Sequence, residues 1–453
     1  MKKNDIIKLK ITSMTSQGSG VGKNDDGIVV FVPFCAVGDE IEAKILKVKK
    51  TYAYGKIERI INPSYFRITP DCEAFTKCGG CAYRHLSYNS EKEIKRHRVI
   101  DAVERIGGLS GIKVKEVVDN KRLSRYRNKA QLPCKNTESG VEFGFYAAHS
   151  HRIIPLSDCL LQPKLFKKVI GITEDFMRET AQNAYDENSE QGKLRHLYIR
   201  YAEMTNQLMV CFIINGNGLK HEDVLVKTLK ENIPELKTVV FNSNKEKTNV
   251  ILGSKNRVAY GNGYIEDILC GKRFRISPLS FYQVNRSQAE KLYTIARDYA
   301  ELKKGDVLLD LYCGAGTIGL TMADKCKKLI GVEIIEDAVK DAYINAGLNG
   351  INNAEFICGD AEYAAEKLRT DGIKPDVIVV DPPRKGLTPE LIDTIVEMNP
   401  ERIVYVSCDC ETLARDLKQF NANYYSIKEI TPVDLFSRTP HIECVCKIER
   451  TKS

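Results

Sequence analysis

The chain has 453 residues, a length that predicts about three domains and cores that need no disulfides. Its hydrophobic content of 43% and charged content of 28% are ordinary for a globular protein, and its net charge of +8 weakly favours a polyanionic partner. We expect the fifteen cysteines to be reduced in the cytoplasm, because no apolar leader follows Met1 and no apolar run approaches a membrane span. These features exclude a small secreted disulfide protein and a membrane protein.

Residues 1–62 have the pattern of a small barrel of the oligonucleotide-binding type. Short segments with strand patterns are separated by glycine-rich turns, and they lie at residues 6–11, 28–32, 41–48 and 54–61. Residues 1–70 hold 12 cationic and 7 acidic side chains, a net charge of +5 (12 − 7). The segment resembles the TRAM domain of RNA-modification enzymes, and the resemblance implies RNA binding. A solvated barrel that binds nothing is the alternative.

Three cysteines that follow the barrel have a spacing that suits a metal centre. Cys72, Cys78 and Cys81 include one Cys-x-x-Cys pair with two glycines between the thiols. Such a pair alone leaves zinc, redox chemistry and an iron–sulfur cluster open. A closed site needs a fourth ligand, and Cys159 is a candidate because it follows a turn. Five residues separate the first two cysteines, which argues against the three-residue spacing of radical-methylation motifs.

Residues 63–274 predict a central α+β domain whose topology the pattern does not fix. Residues 91–106 have a helical pattern that ends at two glycines, and strand patterns lie at 141–146, 197–202, 208–214 and 238–241. Residues 125–129 interleave cations with Tyr126, as a nucleic-acid groove does. A solvated strand end would show the same pattern.

From residue 275 to residue 453, helix and strand patterns alternate. The predicted strands lie at residues 307–312, 329–334, 355–358, 377–380, 403–407, 425–431 and 444–448. Alternation predicts a Rossmann-like α/β domain with a mostly parallel, seven-stranded sheet wrapped by helices. The last two strands have no helix between them, so we expect an antiparallel hairpin at the sheet edge.

Acidic residues stand at the ends of the first three strands of this domain. Asp-Leu-Tyr-Cys-Gly-Ala-Gly at residues 310–316 is a glycine turn between a strand and a helix, where the backbone can approach a ligand closely. Glu333 can accept hydrogen bonds from ribose hydroxyls, and Asp360 can accept one from an adenine amino group. Neither a dinucleotide fingerprint nor a Walker lysine is present. The pattern fits S-adenosylmethionine, a cationic nucleoside without phosphate, and hence a class I methyltransferase domain.

A cysteine follows the fifth predicted strand, directly before a helix. We expect the helix dipole to favour the thiolate of Cys408 there, although Cys410 is also possible on physical grounds. A thiolate that adds to carbon 6 of a pyrimidine makes carbon 5 nucleophilic enough to take a methyl group. Glu443 can then remove the carbon 5 proton, and Asp381, at the start of Asp-Pro-Pro-Arg-Lys-Gly, can hold the substrate ring.

At these motifs the chain resembles the RNA uridine-5-methyltransferase family, and in particular the bacterial branch that methylates 23S ribosomal RNA and carries an iron–sulfur cluster. The resemblance covers nearly the whole chain and rests on Phe-Tyr-Gln-Val-Asn at 281–285, the motifs at 310–317 and 381–386, Val-Ser-Cys-Asp at 406–409 with Leu-Ala-Arg-Asp at 413–416, and His-Ile-Glu at 441–443.

The resemblance also implies roles for individual residues. It implies Cys408 as the nucleophile and Glu443 as the base, and methyl-donor contacts from Gln283, Tyr312, Thr317, Glu333, Asp360 and Asp381. It implies a four-iron, four-sulfur cluster on Cys72, Cys78, Cys81 and Cys159. The implied partner is 23S ribosomal RNA, naked or in an early assembly intermediate, and we expect a monomer that does not bind membranes.

Three rival functions follow from the same motifs. A 5-methylcytosine RNA methyltransferase would share the thiolate chemistry but needs a different group to read the ring. Amino-group methyltransferases use a similar Pro-Pro loop and need no cysteine, so Cys408 argues against them. An RNA chaperone on an inactive methylase scaffold would be expected to lose the thiol or the acid, and this chain has both.

Overall fold

The computed structural model describes residues 1–247 and 249–451. Its N-terminal part is a closed five-stranded barrel. Its strands pair in the order β1-β2-β3-β5-β4 and are β1 (Ile6–Met14), β2 (Ser19–Lys23), β3 (Val29–Pro33), β4 (Glu40–Val48) and β5 (Tyr52–Asn62). Alternate side chains such as Ile11, Val30 and Ile41 point inward and are fully buried. The predicted barrel is therefore confirmed.

Buried polar contacts fix the barrel to the segment that follows it. Arg67 donates to both carboxylate oxygens of Asp39 at 2.8 and 2.7 Å, and Asp39 is fully buried. The His85 ring lies 2.9 Å from the carbonyl oxygen of Cys35. The barrel is thus packed on the segment that carries the first three cysteines.

A helix and a very short strand connect the cysteine segment to the central sheet. Helix α1 (Tyr88–Asp101) continues as a π-helical turn, Ala102–Ile106, and ends at Gly107, as the two glycines predicted. A Cβ at Gly107 would lie 3.0 Å from the carbonyl oxygen of Ala414, so a larger residue there would push the helix end off its neighbour. Strand β6 (Lys113–Val114) follows.

The central part of the chain forms a seven-stranded sheet. Its order is β13-β12-β11-β10-β7-β8-β9, and only β11 and β12 pair in parallel. The strands are β7 (Lys129–Thr137), β8 (Gly140–Tyr146), β9 (Ile153–Pro155), β10 (Leu194–Ala202), β11 (Gln207–Ile214), β12 (Leu236–Ser243) and β13 (Lys255–Tyr260). Helices α2 (Lys164–Glu179) and α3 (Glu222–Asn232) pack on one face, and β14 (Ile265–Leu269) and β15 (Lys272–Ile276) form a separate hairpin.

The last part of the chain alternates helices with strands, as predicted. The helices are α4 (Arg286–Ala300), α5 (Thr317–Met322), α6 (Glu336–Leu348), α7 (Ala361–Thr370), α8 (Pro389–Met398) and α9 (Cys410–Ala422). The strands are β16 (Val307–Leu311), β17 (Lys328–Glu333), β18 (Ala354–Cys358), β19 (Val377–Val380), β20 (Arg402–Ser407), β21 (Tyr425–Val433) and β22 (Glu443–Arg450). None of the helices in the described part of the chain is long and apolar enough to span a membrane.

The C-terminal sheet has eight strands rather than the seven predicted. Its order is β18-β17-β16-β19-β20-β22-β21-β6, with the first five strands parallel and β22 antiparallel to both of its neighbours. The eighth strand is β6, which pairs with β21 and so takes the edge position expected for the hairpin. Two residues are too short a strand for a sequence pattern to reveal. The division into residues 1–62, 63–274 and 275–453 stays a prediction.

Candidate active site

Four parallel strands end at the same edge of the C-terminal sheet, and the predicted site residues follow them. Tyr312 follows β16, Glu333 ends β17, Asp381 follows β19, and Cys408 follows β20. Parallel neighbours place their carboxyl ends together, and open α/β sheets bind ligands at that edge. The structure therefore brings these residues of separate motifs to one crevice.

The glycine turn after β16 is held against Glu333. The backbone N–H of Gly314 donates to Glu333 Oε2 at 3.1 Å, and that of Ile335 donates to Oε1 at 2.8 Å. Tyr312 and Gly316 have φ values of 66° and 77°, a left-handed conformation that the tight turn requires. Each carboxylate oxygen of Glu333 can accept a further hydrogen bond, as binding of two ribose hydroxyls demands.

Asp310 supports this turn through a hydrogen bond to the backbone of α5, a role that the sequence motif did not reveal. Its Oδ2 accepts from the backbone N–H of Gly319 at 2.8 Å, while Oδ1 has no hydrogen-bond partner among the described residues. Burial, with smaller contributions from Asp381 and Glu333, raises the pKa of Asp310 to about 7. A Cβ at Gly319 would lie 2.7 Å from the carboxylate, so glycine is required where α5 meets β16.

Gln283 and Thr317 meet at a buried tyrosine that the sequence analysis missed. Tyr293 Oη lies 3.2 Å from Thr317 Oγ1, and its hydroxyl also interacts with the Gln283 side chain. Gln283 and Thr317 are 7% and 9% exposed. Asn128 of the central region donates to the carbonyl oxygen of Gln283 at 3.0 Å and so ties this segment to the central sheet. The sequence pattern did not single out Tyr293, because it is one of several largely apolar residues on the inner face of α4.

Asp360 lies at the start of α7 and is exposed. Its Oδ1 accepts from the backbone N–H groups of Glu362 at 3.0 Å and Tyr363 at 3.3 Å, so it is the N-cap of this helix. Burial and then the charge of Asp360 raise the pKa of Tyr312 to about 12, which places the two residues near each other. Because both capping bonds use Oδ1, Oδ2 is the atom left for a ligand amino group.

Cys408 lies between β20 and α9 and is partly exposed, but it is not poised as a thiolate. Burial, followed by the charges of Glu443 and Asp381, raises its pKa to about 11, with Arg384 opposing the shift. Burial and these two acids therefore outweigh any stabilisation of the thiolate by the helix dipole. Asp409, which caps α9 by accepting from the N–H of Thr412 at 3.0 Å, makes a smaller contribution in the same direction.

Cys410 has a different environment from Cys408. It is 1% exposed and packs in the core between α1 and α9, with its sulfur 3.5 Å from Glu411 Oε2. Burial raises its pKa to about 12. Access to a substrate therefore distinguishes the two thiols and favours Cys408.

Glu443 is the first residue of β22 and is 4% exposed. Burial and then the charge of Asp381 raise its pKa to about 8, while Arg384 lowers it. Burial likewise raises the pKa of Asp381 to about 7. The thiol and the two carboxyl groups thus interact in one low-dielectric crevice, and Arg384 is the cation that offsets their charge.

The loop that carries Asp381 and Arg384 is fixed by a buried aspartate. Asp416 Oδ2 accepts from the backbone N–H of Leu387 at 2.9 Å and from Tyr405 Oη at 2.7 Å. The guanidinium of Arg415 donates to the carbonyl oxygens of Lys385 and Leu387 at 2.9 and 3.1 Å. Helix α9 and strand β20 therefore hold the loop by its C-terminal end.

The four predicted cluster ligands line one cavity of about 60 Å³ outside this crevice, and they are Cys72, Cys78, Cys81 and Cys159. Arg84 hydrogen-bonds the sulfur of Cys81, and the backbone N–H of Gly80 donates to the sulfur of Cys78 at 3.3 Å. Both contacts favour thiolates, although burial raises the pKa of Cys81 and Cys78 in the free protein. Within residues 1–247 and 249–451, no three His, Cys, Asp or Glu side chains are arranged to hold a metal ion.

Comparison with known proteins matches both ends of the chain. Residues 176–451 match the family described as tRNA (uracil-5-)-methyltransferase, and residues 2–57 match the TRAM domain. A protein of Clostridium tetani is 42% identical over 98% of this chain and 96% of its own length, and one of Halalkalibacterium halodurans is 41% identical over 99% and 98%. Both are described as uncharacterized RNA methyltransferases.

A solved structure has the same overall architecture. The tRNA (uracil-54, C5)-methyltransferase of Pyrococcus abyssi, in complex with S-adenosyl-L-homocysteine, is 28% identical and superposes with a TM-score of 0.78. The match covers 98% of this chain and 99% of that one. The N-terminal barrel and the C-terminal sheet therefore occur together in a known uracil methyltransferase.

Proposed function

The chain belongs to the tRNA (uracil-5-)-methyltransferase family, and we propose that it methylates carbon 5 of a uridine in 23S ribosomal RNA through a covalent adduct of Cys408. The family uses S-adenosylmethionine as methyl donor and RNA as substrate. The observation that carries the mechanism is the convergence of Cys408, Glu443 and Asp381 at one sheet edge. A direct transfer to an amino group would need neither the accessible thiol nor a buried acid beside it.

The crevice residues on the β16 and β17 side fit a binding site for the methyl donor. S-Adenosylmethionine, when bound, supplies an electrophilic methyl group on a sulfonium. Glu333 would hold the ribose hydroxyls with the oxygens described above, and Asp360 Oδ2 would accept the adenine amino group. Tyr312, Thr317 and Gln283 would line the remainder of the site, with Asp381 at the junction between donor and uracil.

Cys408 acts first in the proposed reaction. Its thiol loses a proton to solvent, and the sulfur adds to carbon 6 of the uracil, which places an enolate on oxygen 4, carbon 4 and carbon 5 of the ring. Carbon 5 then takes the methyl group, and the carbon–sulfur bond of the donor breaks. Arg384 lowers the pKa of Cys408 and is the cation that favours the thiolate before addition.

Glu443 completes the reaction as the general base. Its carboxylate takes the proton from carbon 5, the electron pair reforms the carbon 5–carbon 6 double bond, and the sulfur of Cys408 leaves. With a pKa of about 8, Glu443 is mostly protonated at neutral pH in the free protein. A cationic donor beside Asp381 would lower the pKa of these acids, so binding of both substrates would prepare the base.

The four cysteines support two parts of the proposal, a ribosomal RNA substrate and a bound four-iron, four-sulfur cluster. They resemble those of the ribosomal branch of the family, and they line one small cavity next to Arg84 and Arg127. Cysteine thiolates are the usual ligands of such clusters. A location in the reducing cytoplasm and a monomeric state stay predictions.

A transfer RNA uridine is the second candidate substrate, because the solved structure with this architecture is a tRNA methyltransferase. Nucleoside mass analysis of separated ribosomal and transfer RNA, from cells with and without the gene, decides between them. We expect 5-methyluridine to disappear from 23S RNA alone. Its loss from transfer RNA alone would overturn the ribosomal substrate, and a loss of 5-methylcytidine would overturn the uracil assignment.

A further inference from the structure

Two cations face each other across neighbouring strands of the central sheet. Lys129 of β7 and Arg200 of β10 are direct partners in the antiparallel register, so their side chains project from the same face. Like charges directly opposite each other destabilise a sheet. Lys129 is partly exposed, whereas Arg200, beside it on the neighbouring strand, is 1% exposed.

The guanidinium of Arg200 lies over the Tyr198 ring, 5.7 Å from its centroid, but no carboxylate of the described residues offsets the pair. In the part of the chain that the structure describes, neither Lys129 nor Arg200 forms an ion pair with a carboxylate. Arg200 donates one hydrogen bond, to the carbonyl oxygen of Ser280 at 2.8 Å, and its Nε has no partner among the described residues. Burial, Arg200 and Arg127 together lower the pKa of Lys129 to about 8. Such an arrangement is unfavourable unless an anion binds to it.

The pair lies beside the active site. Ser280, which binds Arg200, and Gln283, which is held by Asn128, belong to the segment that approaches the donor. Arg127, two residues before Lys129, contributes to the low pKa of His441, although burial, Arg384, Arg98 and Lys95 contribute more. His441 stands two residues before the base, so these cations extend from the central sheet toward the substrate side of the crevice.

We propose that Lys129, with Arg127 and Arg200 beside it, binds a backbone phosphate of the RNA next to the uridine that enters the active site. The proposal rests on the proposed RNA substrate but not on which RNA it is. Lys129 is the member of this pair that contacts the phosphate, because it is partly exposed and Arg200 is buried. Arg200 strengthens the potential at the site and prevents the Lys129 ammonium from folding back onto the sheet.

The methionine carboxylate of the donor is the other anion that reaches this region. Arg200 and Asn128 contact the segment that carries Gln283 on the donor side, whereas Arg127 acts on His441 on the substrate side, and the latter favours the phosphate. The two sources differ in one measurable respect. A phosphate site changes RNA affinity and its salt dependence, whereas a carboxylate site changes donor affinity.

The test uses the full-length protein and a short unstructured oligouridine, because phosphate contacts are independent of sequence. Lys129→Gln should weaken binding about tenfold at moderate salt and make the dependence of log affinity on log salt shallower by about 0.7. Lys129→Arg should restore most of the affinity. Lys135→Gln is the matched control on the same strand, since Lys135 already faces Glu142 at 3.9 Å, and it should change affinity less than twofold.

Two further readouts separate this role from a structural one. Removal of one of two opposed charges should leave the thermal midpoint of Lys129→Gln unchanged or raised, and donor affinity by calorimetry should not change. Unchanged oligouridine affinity would overturn the proposal, and so would weaker donor binding. If wild-type protein bound oligouridine through Lys129 but left 23S RNA unmethylated, the ribosomal target would be wrong and the phosphate site would stand.

Discussion

At the scale of single residues, the active site combines three acids whose ionisation is coupled. Burial raises the pKa of Cys408 to about 11, of Glu443 to about 8 and of Asp381 to about 7, and mutual repulsion adds to the shifts of Cys408 and Glu443. In the free protein at neutral pH, the thiol and Glu443 are therefore mainly protonated. In the proposed mechanism the deprotonated forms of Cys408 and Glu443 act, so methylation should depend on the removal of protons from both.

The pH profile of methylation tests this coupling. Because Glu443 must be a carboxylate and its pKa lies near 8, kcat/KM should rise with pH from about pH 6 to at least about pH 8. Arg384→Gln should move the rise to higher pH, since Arg384 lowers the pKa of both Glu443 and Cys408, and Arg384→Lys should retain the wild-type profile. A flat profile between about pH 6 and about pH 9 would contradict the assigned base.

The sequence predicted which residues meet at the site but not their ionisation. Spacing after a strand was sufficient to find Cys408, Glu333 and Asp381, because parallel strands end at one edge. Ionisation depends on neighbours from distant segments, so the raised pKa of Cys408 was not foreseen. The support given by Asp310 was missed for the same reason, since its partner at Gly319 becomes visible only when helix and strand are packed.

At the scale of elements, one loop connects the donor side of the crevice to the thiol. Residues 381–387 leave β19, and Asp416 of α9 holds their end through Leu387 while also binding Tyr405 of β20. Asp416 is 2% exposed and contacts neither the substrate nor the donor in the proposed site. It is therefore a positioning residue for Asp381 and Arg384.

Asp416→Ala should lower both stability and turnover. It leaves the buried Tyr405 hydroxyl and the Leu387 N–H without an acceptor, at a cost of about 1–3 kcal/mol for each group. We expect a thermal midpoint lower by several degrees and a reduced kcat with little change in RNA affinity. Asp393→Ala is the control, because Asp393 of α8 is exposed and, among the described residues, accepts one side-chain hydrogen bond, from Gln419 of α9 at 2.9 Å. A wild-type kcat in Asp416→Ala would contradict the positioning role.

Strands of the C-terminal sheet that carry a full hydrophobic pattern were predicted with bounds within two residues, whereas β1, β10 and α1 differ from prediction by three residues at one end. Strand β19 was predicted without error, β16, β18 and β20 differ by one residue at one end, and β17 is displaced by one residue at both ends. Strand β6 was missed because two residues carry no period, and its pairing depends on the tertiary position of β21. Long-range pairing of this kind is not encoded in local sequence.

At the scale of the whole molecule, the cysteine segment supports the loop that leads to the base. The backbone N–H groups of Ala82 and Tyr83, directly after Cys81, donate to the carbonyl oxygen of Arg438 at 2.9 and 3.1 Å. Lys95 of α1 lies fully buried in the same region and donates to Asp434 at 2.6 Å. The cysteine segment is thus hydrogen-bonded to the loop that precedes Glu443, and we expect loss of the proposed cluster to lower the stability of the protein.

Metal analysis tests the cluster. Protein purified without oxygen should be brown and contain iron and sulfide, and Cys78→Ser should lose both. That variant should also be less soluble and melt earlier, because the contacts at Arg438 lose their support, while donor binding should remain. Cys358→Ser is the control, since Cys358 is exposed and far along the chain from the cavity. Stoichiometric zinc without iron would overturn the assignment.

The most direct test of the covalent mechanism uses Glu443→Gln protein with 23S RNA and the methyl donor. The thiolate of Cys408 can still add and carbon 5 can still take the methyl group, but its proton stays in place. We predict a protein–RNA complex that survives denaturant and carries a methylated uridine attached to Cys408 by mass spectrometry. Cys410→Ala in the same background should leave the complex intact, and Cys408→Ala should abolish it. Attachment at Cys410, or no covalent complex in any of these variants, would contradict the account.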